Sequence, residues 1–516
     1  MTLQSRRTLF LVDAEASMSE KIHRGKLKTA PDPLVEKYLI EPGMKADIRY
    51  RFHAFVDCNK AHVLMLAQQK IVSKEVATQI LRVNQELSNL TEPPFKCNPD
   101  REDFYFNLEA YLIEKTNIEI GGQQHTARSR NDLYDTCARI AVRKAFFELS
   151  GAFNRLRQAL INKAKLSLDA VFSGYTHMQP SEPITFAHYL SGILCALERD
   201  YSRLEHVYEG LNLCPLGSCS MGSTSWNIDR QMTSDLLGFD LPIDNSIDGV
   251  ASRDFITDLL AALSLTSNTI SRLCQDLYVW STPDYGYVEV PDSCAVCSSI
   301  MPQKKNPWVL ERIKAKAAHI EAALISSLNV MKNVIFSHTE DICGETGAYL
   351  FPAIDETMAI FELTGINING LKLNREVMVE KAKKNFCTVT ELANTLVRYD
   401  KVSFRTAHDA VASVVSSMIE QGKSADEITV DDINTAYCAL GVNSTCLSQQ
   451  DLMEALDPIK IVSKKSCVGG TNPDEVTRQL LARQKKLDQN IELLTDRIHK
   501  VNKARARLNV LTKEFL

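Results

Sequence analysis

Residues 297–307 read CSSIMPQKKNP. It combines hydroxyl, ammonium and amide side chains with two prolines, each of which fixes φ and disfavours helix in the residue before it. The stretch is therefore predicted to be an ordered polar loop. From Trp308 onwards, apolar residues recur at steps of three or four, which predicts a buried helix. A polar loop that leads into a buried helix is a common place for catalytic groups.

The composition is ordinary for a soluble globular protein, with 45% hydrophobic and 24% charged residues in a chain of 516. The net charge is −5 with both signs interspersed, so nothing favours nucleic acid or a membrane surface as a partner. No apolar run approaches the roughly 20 residues of a membrane span, and the apolar residues near the start are too few for a signal peptide. A cytoplasmic protein is expected.

The chain has 14 cysteines, scattered from Cys58 to Cys467. In a long chain without an export signal, cysteines spread so thinly are predicted to be free thiols. The spacing Cys294-x-x-Cys297 beside the polar loop could belong to a redox or zinc site, but no further ligands lie in its neighbourhood. It is interpreted as two structural cysteines, and no metal or organic cofactor is expected.

A second unusual stretch is GGQQHTARSRND at residues 121–132. Its two glycines give backbone freedom, and the residues that follow supply guanidinium, hydroxyl and amide donors. Such donors match the geometry of a small dicarboxylate. On local chemistry alone, a helix start capped by Ser129 or Asn131 is an equally good interpretation.

Most of the chain is predicted to be helical. Apolar stripes begin near Val142, Phe186, Leu259 and Ile313, and the one from Phe186 to Leu211 continues for roughly seven turns. Long helices with apolar stripes and few strand signals indicate a helix bundle whose stripes pack together as the core. No Rossmann or phosphate-loop pattern occurs.

The SSIMPQKKNP segment at 298–307 resembles the signature loop of the fumarase/aspartase superfamily, and its QKKN wording is most similar to argininosuccinate lyases. Further segments resemble motifs of that family in the same order along the chain. They are TARSRND at 126–132, GYTHMQ at 174–179, PLGSCSMGS at 215–223, NFCTVTELA at 385–393, VSFRTAH at 402–408 and GGTNP at 469–473. The resemblance extends from roughly residue 50 to 480.

The resemblance implies an all-α fold with a central long-helix bundle and smaller helical N- and C-terminal domains, assembled as a homotetramer in which three subunits contribute to each active site. The expected domains are residues 1–127, 128–380 and 381–516, with an extended or partly ordered arm to about residue 45. It also implies a cofactor-free carbon–nitrogen lyase that eliminates fumarate from an N-substituted aspartate, a small amino-dicarboxylate.

The resemblance also implies roles for individual residues. Ser298 would be the base that removes the Cβ proton, and Lys304 and Asn306 would hold the doubly negative intermediate. His177 would be the acid or proton relay, oriented by Glu311, which raises its pKa. The residues expected to bind substrate are Ser129, Arg130, Asn131, Thr176, Ser299 and Gln303.

The chain departs from the family at several positions. Where argininosuccinate lyases carry a YNKDLQEDK-like segment that recognises the amine, residues 336–345 read FSHTEDICGE. Tyr105 stands where a histidine is usual, and Cys297 replaces a glycine. The substrate is therefore expected to be argininosuccinate or a related N-succinyl amine, such as ethylenediamine-disuccinate. A nitrosuccinate-type substrate and a non-catalytic, crystallin-like descendant remain alternatives.

Leucines and valine recur every seven residues from Leu480 to Leu508, with Ile491 and Ile498 completing the stripe. This pattern predicts a helix of roughly 35 residues whose apolar side needs a partner. Packing along its own subunit is the plainer interpretation, and a contact between subunits is the alternative.

Overall fold

The computed structural model describes Leu27 and residues 29–516. The predicted N-terminal arm therefore lies largely outside the described residues. Its described end is helical rather than extended: Pro33–Val35 is a helical turn and Glu36–Ile40 a π-helix that runs into the first long helix. The N–H of Leu34 donates to the carboxylate of Asp32 over 2.8 Å, which caps this turn.

The described part contains helices of ten or more residues from its beginning to its end. They are α1 (Glu41–Gln68), α2 (Lys74–Ser88), α3 (Phe104–Lys115), α4 (Arg130–Lys165), α5 (Phe186–Leu211), α6 (Asp254–Trp280), α7 (Trp308–Met331), α8 (Leu350–Gly370), α9 (Arg375–Lys384), α10 (Val389–Asp400), α11 (Phe404–Glu420), α12 (Val430–Ala439) and α13 (Pro473–Phe515). Shorter α-helical segments are Ile118–Gly121, Arg230–Leu236, Asp248–Ala251, Gln449–Ala455 and Pro458–Lys464.

The centre of the fold is a bundle of α4, α5, α6, α7 and α8, which pack against one another along their lengths. The apolar stripes predicted from the sequence face its core, where Phe146, Leu190, Leu263 and Ile320 are fully buried. The prediction of an all-α fold built on a long-helix bundle is confirmed.

Two smaller apolar cores lie outside the bundle. One joins α1, α2 and α3 with the first turns of α4 and includes Phe55 and Phe104, whose ring centroids are 5.5 Å apart. The other joins α10, α11 and α12 around Leu396 and Tyr437. The predicted domain boundaries at residues 127 and 380 stay a prediction.

The strands are short and form separate two-stranded ribbons at the ends of the helices. Three pairs are antiparallel, and the pair between residues 213–214 and 241–242 is parallel. The strands are β1 (Val171–Thr176), β2 (Gln179–Thr185), β3 (Leu213–Cys214), β4 (Leu241–Pro242), β5 (Val288–Glu289), β6 (Val296–Cys297), β7 (Lys305–Asn306) and β8 (Lys372–Leu373). The β1–β2 and β6–β7 ribbons carry sequence motifs, so these ribbons position candidate site residues.

The C-terminal helix α13 has 43 residues and packs against α4, α5 and α1 of the same chain. Asn472 caps it by accepting a hydrogen bond from the N–H of Asp474, and Pro473 occupies its first turn. Leu480, Leu487 and Leu508 are each at most 1% exposed. For these leucines, packing along the chain's own helices is the interpretation that the structure supports.

We expect Leu487→Ala to lower the free energy of unfolding by about 3 kcal/mol, because it removes a fully buried side chain and leaves a cavity between α13 and the bundle. The measurement is chemical denaturation followed by circular dichroism. Leu481→Ala is the matched control on the same helix, since the Leu481 side chain is 61% exposed, and it should change stability by less than about 0.5 kcal/mol. Equal losses in the two variants would contradict this account of the helix.

All 14 cysteines lie in the described part, and each is a free thiol, as predicted. Cys294 is buried whereas Cys297 is exposed. None of the helices from residue 29 onwards is long and apolar enough to cross a membrane.

Candidate active site

The predicted polar loop is the tip of the β6–β7 hairpin. Val296 pairs with Asn306 and Cys297 with Lys305, which brings the two ends of the loop together. The N–H of Ser298 donates to the carbonyl oxygen of Lys304 over 3.3 Å, just inside this ladder. The loop is therefore ordered by backbone pairing at its base, although most of its side chains are exposed.

The side chain of Ser298 lies in a backbone turn that supplies it with two donors. Its Oγ accepts hydrogen bonds from the N–H of Ile300 over 3.3 Å and from the N–H of Met301 over 3.0 Å. Backbone donors aimed at one oxygen stabilise negative charge on that oxygen. The turn therefore directs two backbone donors at Ser298 Oγ.

The two adjacent lysines of the loop have different surroundings. The ammonium of Lys305 donates hydrogen bonds to Asp292 over 2.6 Å and to Glu289 over 2.8 Å, and these bonds raise its pKa. Lys304 is exposed and has no ion-pair partner among residues 29–516. Lys305 therefore anchors the hairpin, whereas the ammonium of Lys304 is open to a ligand.

His177 lies at the tip of the β1–β2 hairpin, a segment that the sequence analysis interpreted as a loop between helices. Thr176 pairs with Gln179, so His177 and Met178 form a two-residue turn. Their φ angles are +53° and +60°, the left-handed conformation that two-residue hairpin turns require. The turn presents the exposed His177 side chain to solvent at the end of a rigid ribbon.

Strand β1 of this hairpin is fixed to the rest of the chain by hydrogen bonds between side chains. The hydroxyls of Tyr175 and Tyr287 are 2.7 Å apart. The amide of Asn385 donates to Ser173 Oγ over 2.7 Å, which ties the hairpin to the segment after α9. These contacts hold strand β1 in place next to His177.

The stretch at 121–132 forms the start of α4, as one of its two interpretations predicted. Ser129 is the N-cap residue, and its Oγ accepts a hydrogen bond from the N–H of Asn131 over 3.3 Å. The side-chain amide of Asn131 donates to the carbonyl oxygen of Ser220 over 3.2 Å. Ser129 and Asn131 thus have structural partners, and the hydroxyl hydrogen of Ser129 is still available for a ligand.

Arg130 is held by acidic residues that precede and begin α3. Its Nη1 lies 2.6 Å from Asp103 and 3.7 Å from Glu102, and these partners raise its pKa. The guanidinium also lies 4.3 Å from the ring centroid of Phe106. These contacts fix the orientation of Arg130 and leave its side chain 39% exposed.

Asp132 connects this stretch to the loop at 215–223 and was not singled out by the sequence analysis. Its carboxylate accepts hydrogen bonds from the N–H groups of Ser129 at 3.0 Å, Gly217 at 2.8 Å and Cys219 at 2.8 Å. Burial raises its pKa to about 6 against the opposing effect of these donors, so the group is ionised at neutral pH. The Ser-x-x-Asp spacing signals the helix cap, but no local pattern signals a contact 85 residues away.

Tyr105 belongs to a buried polar cluster behind the start of α4. Its hydroxyl donates to Glu109 over 3.0 Å and lies 2.6 Å from Nδ1 of His125. The guanidinium of the buried Arg128 lies 5.6 Å from the ring centroid of Tyr105. Tyr105 therefore joins α3 to the turn that precedes the predicted anion-binding residues.

The predicted catalytic groups are not brought into mutual contact within one chain. No hydrogen bond or ion pair in the described part joins the Ser298 loop, the His177 turn and the start of α4. Glu311 lies on the exposed face of α7, where its hydrogen bond to Tyr278 raises the pKa of that phenol. The orientation of His177 by Glu311 stays a prediction.

Of the remaining predicted residues, Thr176, Ser299 and Gln303 are exposed and Asn306 is half-buried.

The segment at 336–345, which would face the amine by resemblance, is acidic and open. Phe336 is 70% exposed. Glu340, Asp341 and Glu345 are exposed around a π-helix at Asp341–Glu345. This surface carries three exposed carboxylates.

Comparison with known proteins gives two family matches. A family described as "Lyase" matches residues 25–321, and a family described as "Argininosuccinate lyase C-terminal" matches residues 386–463. Argininosuccinate lyase 1 of Shouchella clausii is 42% identical over 472 residues, which are 92% of this chain and 95% of that protein. The chain belongs to the argininosuccinate lyase family.

Other relatives place this argininosuccinate lyase family member in its superfamily. Argininosuccinate lyase of Methanocaldococcus jannaschii is 33% identical over 94% of this chain and 98% of its own. The crystal structure of EDDS lyase in complex with formate has a TM-score of 0.85 at 29% identity, covering 95% of this chain and 96% of that one. A class II fumarase from Schistosoma mansoni shares the fold, with a TM-score of 0.64 at 17% identity. The protein is a carbon–nitrogen lyase of the fumarase/aspartase superfamily.

Proposed function

We propose that the protein eliminates fumarate from an N-substituted aspartate. The observation that carries this proposal is the turn at Ser298, in which two backbone N–H groups converge on Oγ. The open ammonium of Lys304 in the same loop adds a positive charge for the intermediate. Together they supply the two things that removal of a weakly acidic Cβ proton needs: an ionised base and stabilisation of the resulting charge.

The proposed reaction proceeds in two steps. The Ser298 alkoxide takes the Cβ proton, and the electron pair of that C–H bond moves into the adjacent carboxylate, whose extra negative charge Lys304 and Asn306 stabilise. The pair then forms the Cα–Cβ double bond as the C–N bond breaks, and the nitrogen takes a proton through His177, oriented by Glu311. The products are fumarate and a free amine, and the proton on Ser298 passes to solvent.

The substrate carboxylates are proposed to bind Ser129, Arg130, Asn131, Thr176, Ser299 and Gln303. Because these groups lie on separate segments of one chain, we propose that they come together between subunits of a homotetramer. Apolar side chains exposed on the central bundle support such an assembly, since large exposed apolar surfaces indicate contacts with other chains. They include Leu265 on α6, Ile325 and Leu328 on α7, and Ile366 on α8.

The leaving amine is proposed to be that of argininosuccinate or of a related N-succinyl amine. The relatives are named argininosuccinate lyases, which favours the first. The likeness to EDDS lyase supports ethylenediamine-disuccinate as the alternative.

The test is the ultraviolet absorbance of fumarate after addition of purified protein to argininosuccinate, ethylenediamine-disuccinate, nitrosuccinate, aspartate or adenylosuccinate. We expect fumarate from at least one of the first two. If only nitrosuccinate gave fumarate, we would conclude that the leaving group is not an amine. Absence of fumarate from every substrate, and of any adduct when fumarate is supplied with a library of amines, would contradict the proposal.

The two loop lysines provide a matched pair of variants. Lys304→Met should lower kcat by about 100-fold, because it removes a charge that faces the intermediate. Lys305→Met should lower kcat far less, because that ammonium is already bound to Glu289 and Asp292. Initial rates of fumarate formation for both variants are the measurement, and a larger loss in Lys305→Met would reverse the assignment of the two lysines.

A further inference from the structure

A cavity of about 710 Å³ lies between the β1–β2 hairpin, the turn before β5 and helix α9. This volume is in the range of small-molecule sites. Its walls include Tyr175 and Met178 of the hairpin and Asp284 and Tyr285 of the turn. None of these four residues has a role in the proposed elimination.

The rings around the cavity form one aromatic wall. The ring centroids of Tyr175 and Tyr285 are 5.5 Å apart, and those of Tyr285 and Tyr287 are 5.6 Å apart. Lys381 lies over the ring of Tyr287, with its ammonium 5.8 Å from the centroid. The wall therefore already places one cation against a phenol face, an attraction that a ligand cation would share.

The charged groups of the cavity differ in what they already bind. Lys384 and Glu380 pair with each other at 2.7 Å. The ammonium of Lys381 donates to the backbone carbonyl oxygen of Asp284. The Asp284 carboxylate, in contrast, has no hydrogen-bond or ion-pair partner within residues 29–516. The cavity carries two positive and two negative side chains, and of these only the Asp284 carboxylate has neither a hydrogen bond nor an ion pair within the described part.

The cavity adjoins the turn that carries His177. Met178 is the second residue of that turn, is 60% exposed and lines the cavity. Both turn residues have positive φ, a conformation that costs free energy for residues other than glycine. A molecule that packs on Met178 would contact the turn directly and favour one of its conformations.

We propose that this cavity binds a planar organic cation, an amidinium or guanidinium group on an apolar body, and that its occupant stabilises the His177–Met178 turn. The cationic group pairs with the Asp284 carboxylate, and the body stacks on Tyr175 and Tyr285. Planar cations combine a fork of donors with a face that stacks on aromatic rings, which is the combination this cavity offers. The site is additional to the proposed elimination and does not depend on it.

Benzamidine is the probe, with benzamide as its neutral isostere and benzoate as its anionic counterpart. Each is titrated into the full-length protein while the Met178 methyl resonance, assigned with Met178→Leu, is followed by NMR. We expect benzamidine to shift this resonance and to bind at least about tenfold more tightly than benzamide or benzoate. Asp284→Asn should abolish the preference, whereas Asp496→Asn, on the exposed side of α13, should retain it.

Three results would overturn the proposal. First, benzamidine could leave the Met178 resonance unshifted. Second, benzamide or benzoate could bind as tightly as benzamidine. Third, the Asp284→Asn variant could prefer benzamidine as strongly as the Asp496→Asn variant does. Because the readout is binding, an enzyme without lyase activity in the fumarate assay could still confirm the site. Failure of this site and failure of the proposed function are therefore separate outcomes.

Discussion

Ser298→Ala is expected to lower the rate of fumarate formation by about 10³-fold, with little change in KM. The substitution removes the oxygen that the N–H groups of Ile300 and Met301 hold, and no other base in the loop can occupy the same position. The measurement is kcat from initial rates on the substrate that the panel identifies. KM should be nearly unchanged because the hydroxyl acts on the proton rather than on the substrate carboxylates.

Ser293→Ala is the matched control for this prediction. Ser293 is an exposed serine that precedes β6, and its only side-chain contact in the described part is a weak one with Cys294 at 4.0 Å. We expect it to retain the wild-type rate. A Ser298→Ala variant that also retained the rate would exclude Ser298 as the base, and the two backbone donors would then serve only to hold the loop.

The helices could be predicted from the sequence because their signal is local. In α5, Leu190, Leu197 and Leu204 recur at helical spacing and are all buried, as their periodicity indicates. The polar loop at Ser298 was also predictable, since its two prolines exclude regular helix within eleven residues. In both cases the residues that determine the structure are close together in the chain.

The hairpin that carries His177 was not predicted, for a physical reason. Strand β2 contains Pro180 and Pro183, residues that normally argue against a strand. The ribbon has only two strands, so each has one free edge on which a missing N–H costs nothing. Prolines are therefore tolerated in this strand. Because prolines usually indicate a loop, the sequence predicted a loop where the structure has a two-stranded ribbon.

The arrangement of the candidate site was only partly predictable. Individual motifs and their chemistry follow from resemblance, but contacts between motifs depend on packing over long distances. The contact between Asp132 and the loop at Gly217 is one example, and the pairing of Lys305 rather than Lys304 with Glu289 is another. In the proposed homotetramer the elements come from different subunits, and no pattern in one chain would specify the distance between them.

Asp132→Ala is expected to lower the free energy of unfolding by about 4 kcal/mol. The buried carboxylate is the acceptor for the N–H groups of Ser129, Gly217 and Cys219, and removing it leaves all three donors unpaired, the last two of them buried. Its loss also separates the start of α4 from the loop at 215–223. The measurement is chemical denaturation at neutral pH, where the wild-type carboxylate is ionised.

Asp132→Asn distinguishes the loss of hydrogen bonds from the loss of volume. Its amide oxygen can still accept from the N–H groups of Gly217 and Cys219, but its NH₂ group would face the N–H of Ser129. We therefore expect an intermediate cost of about 2 kcal/mol. If Asp132→Asn and Asp132→Ala were equally unstable, the negative charge itself would be required; if both were as stable as wild type, the loop would be held by other contacts. An ordered series from wild type through Asn to Ala would establish Asp132 as the hydrogen-bond acceptor that joins the start of α4 to the loop at 215–223.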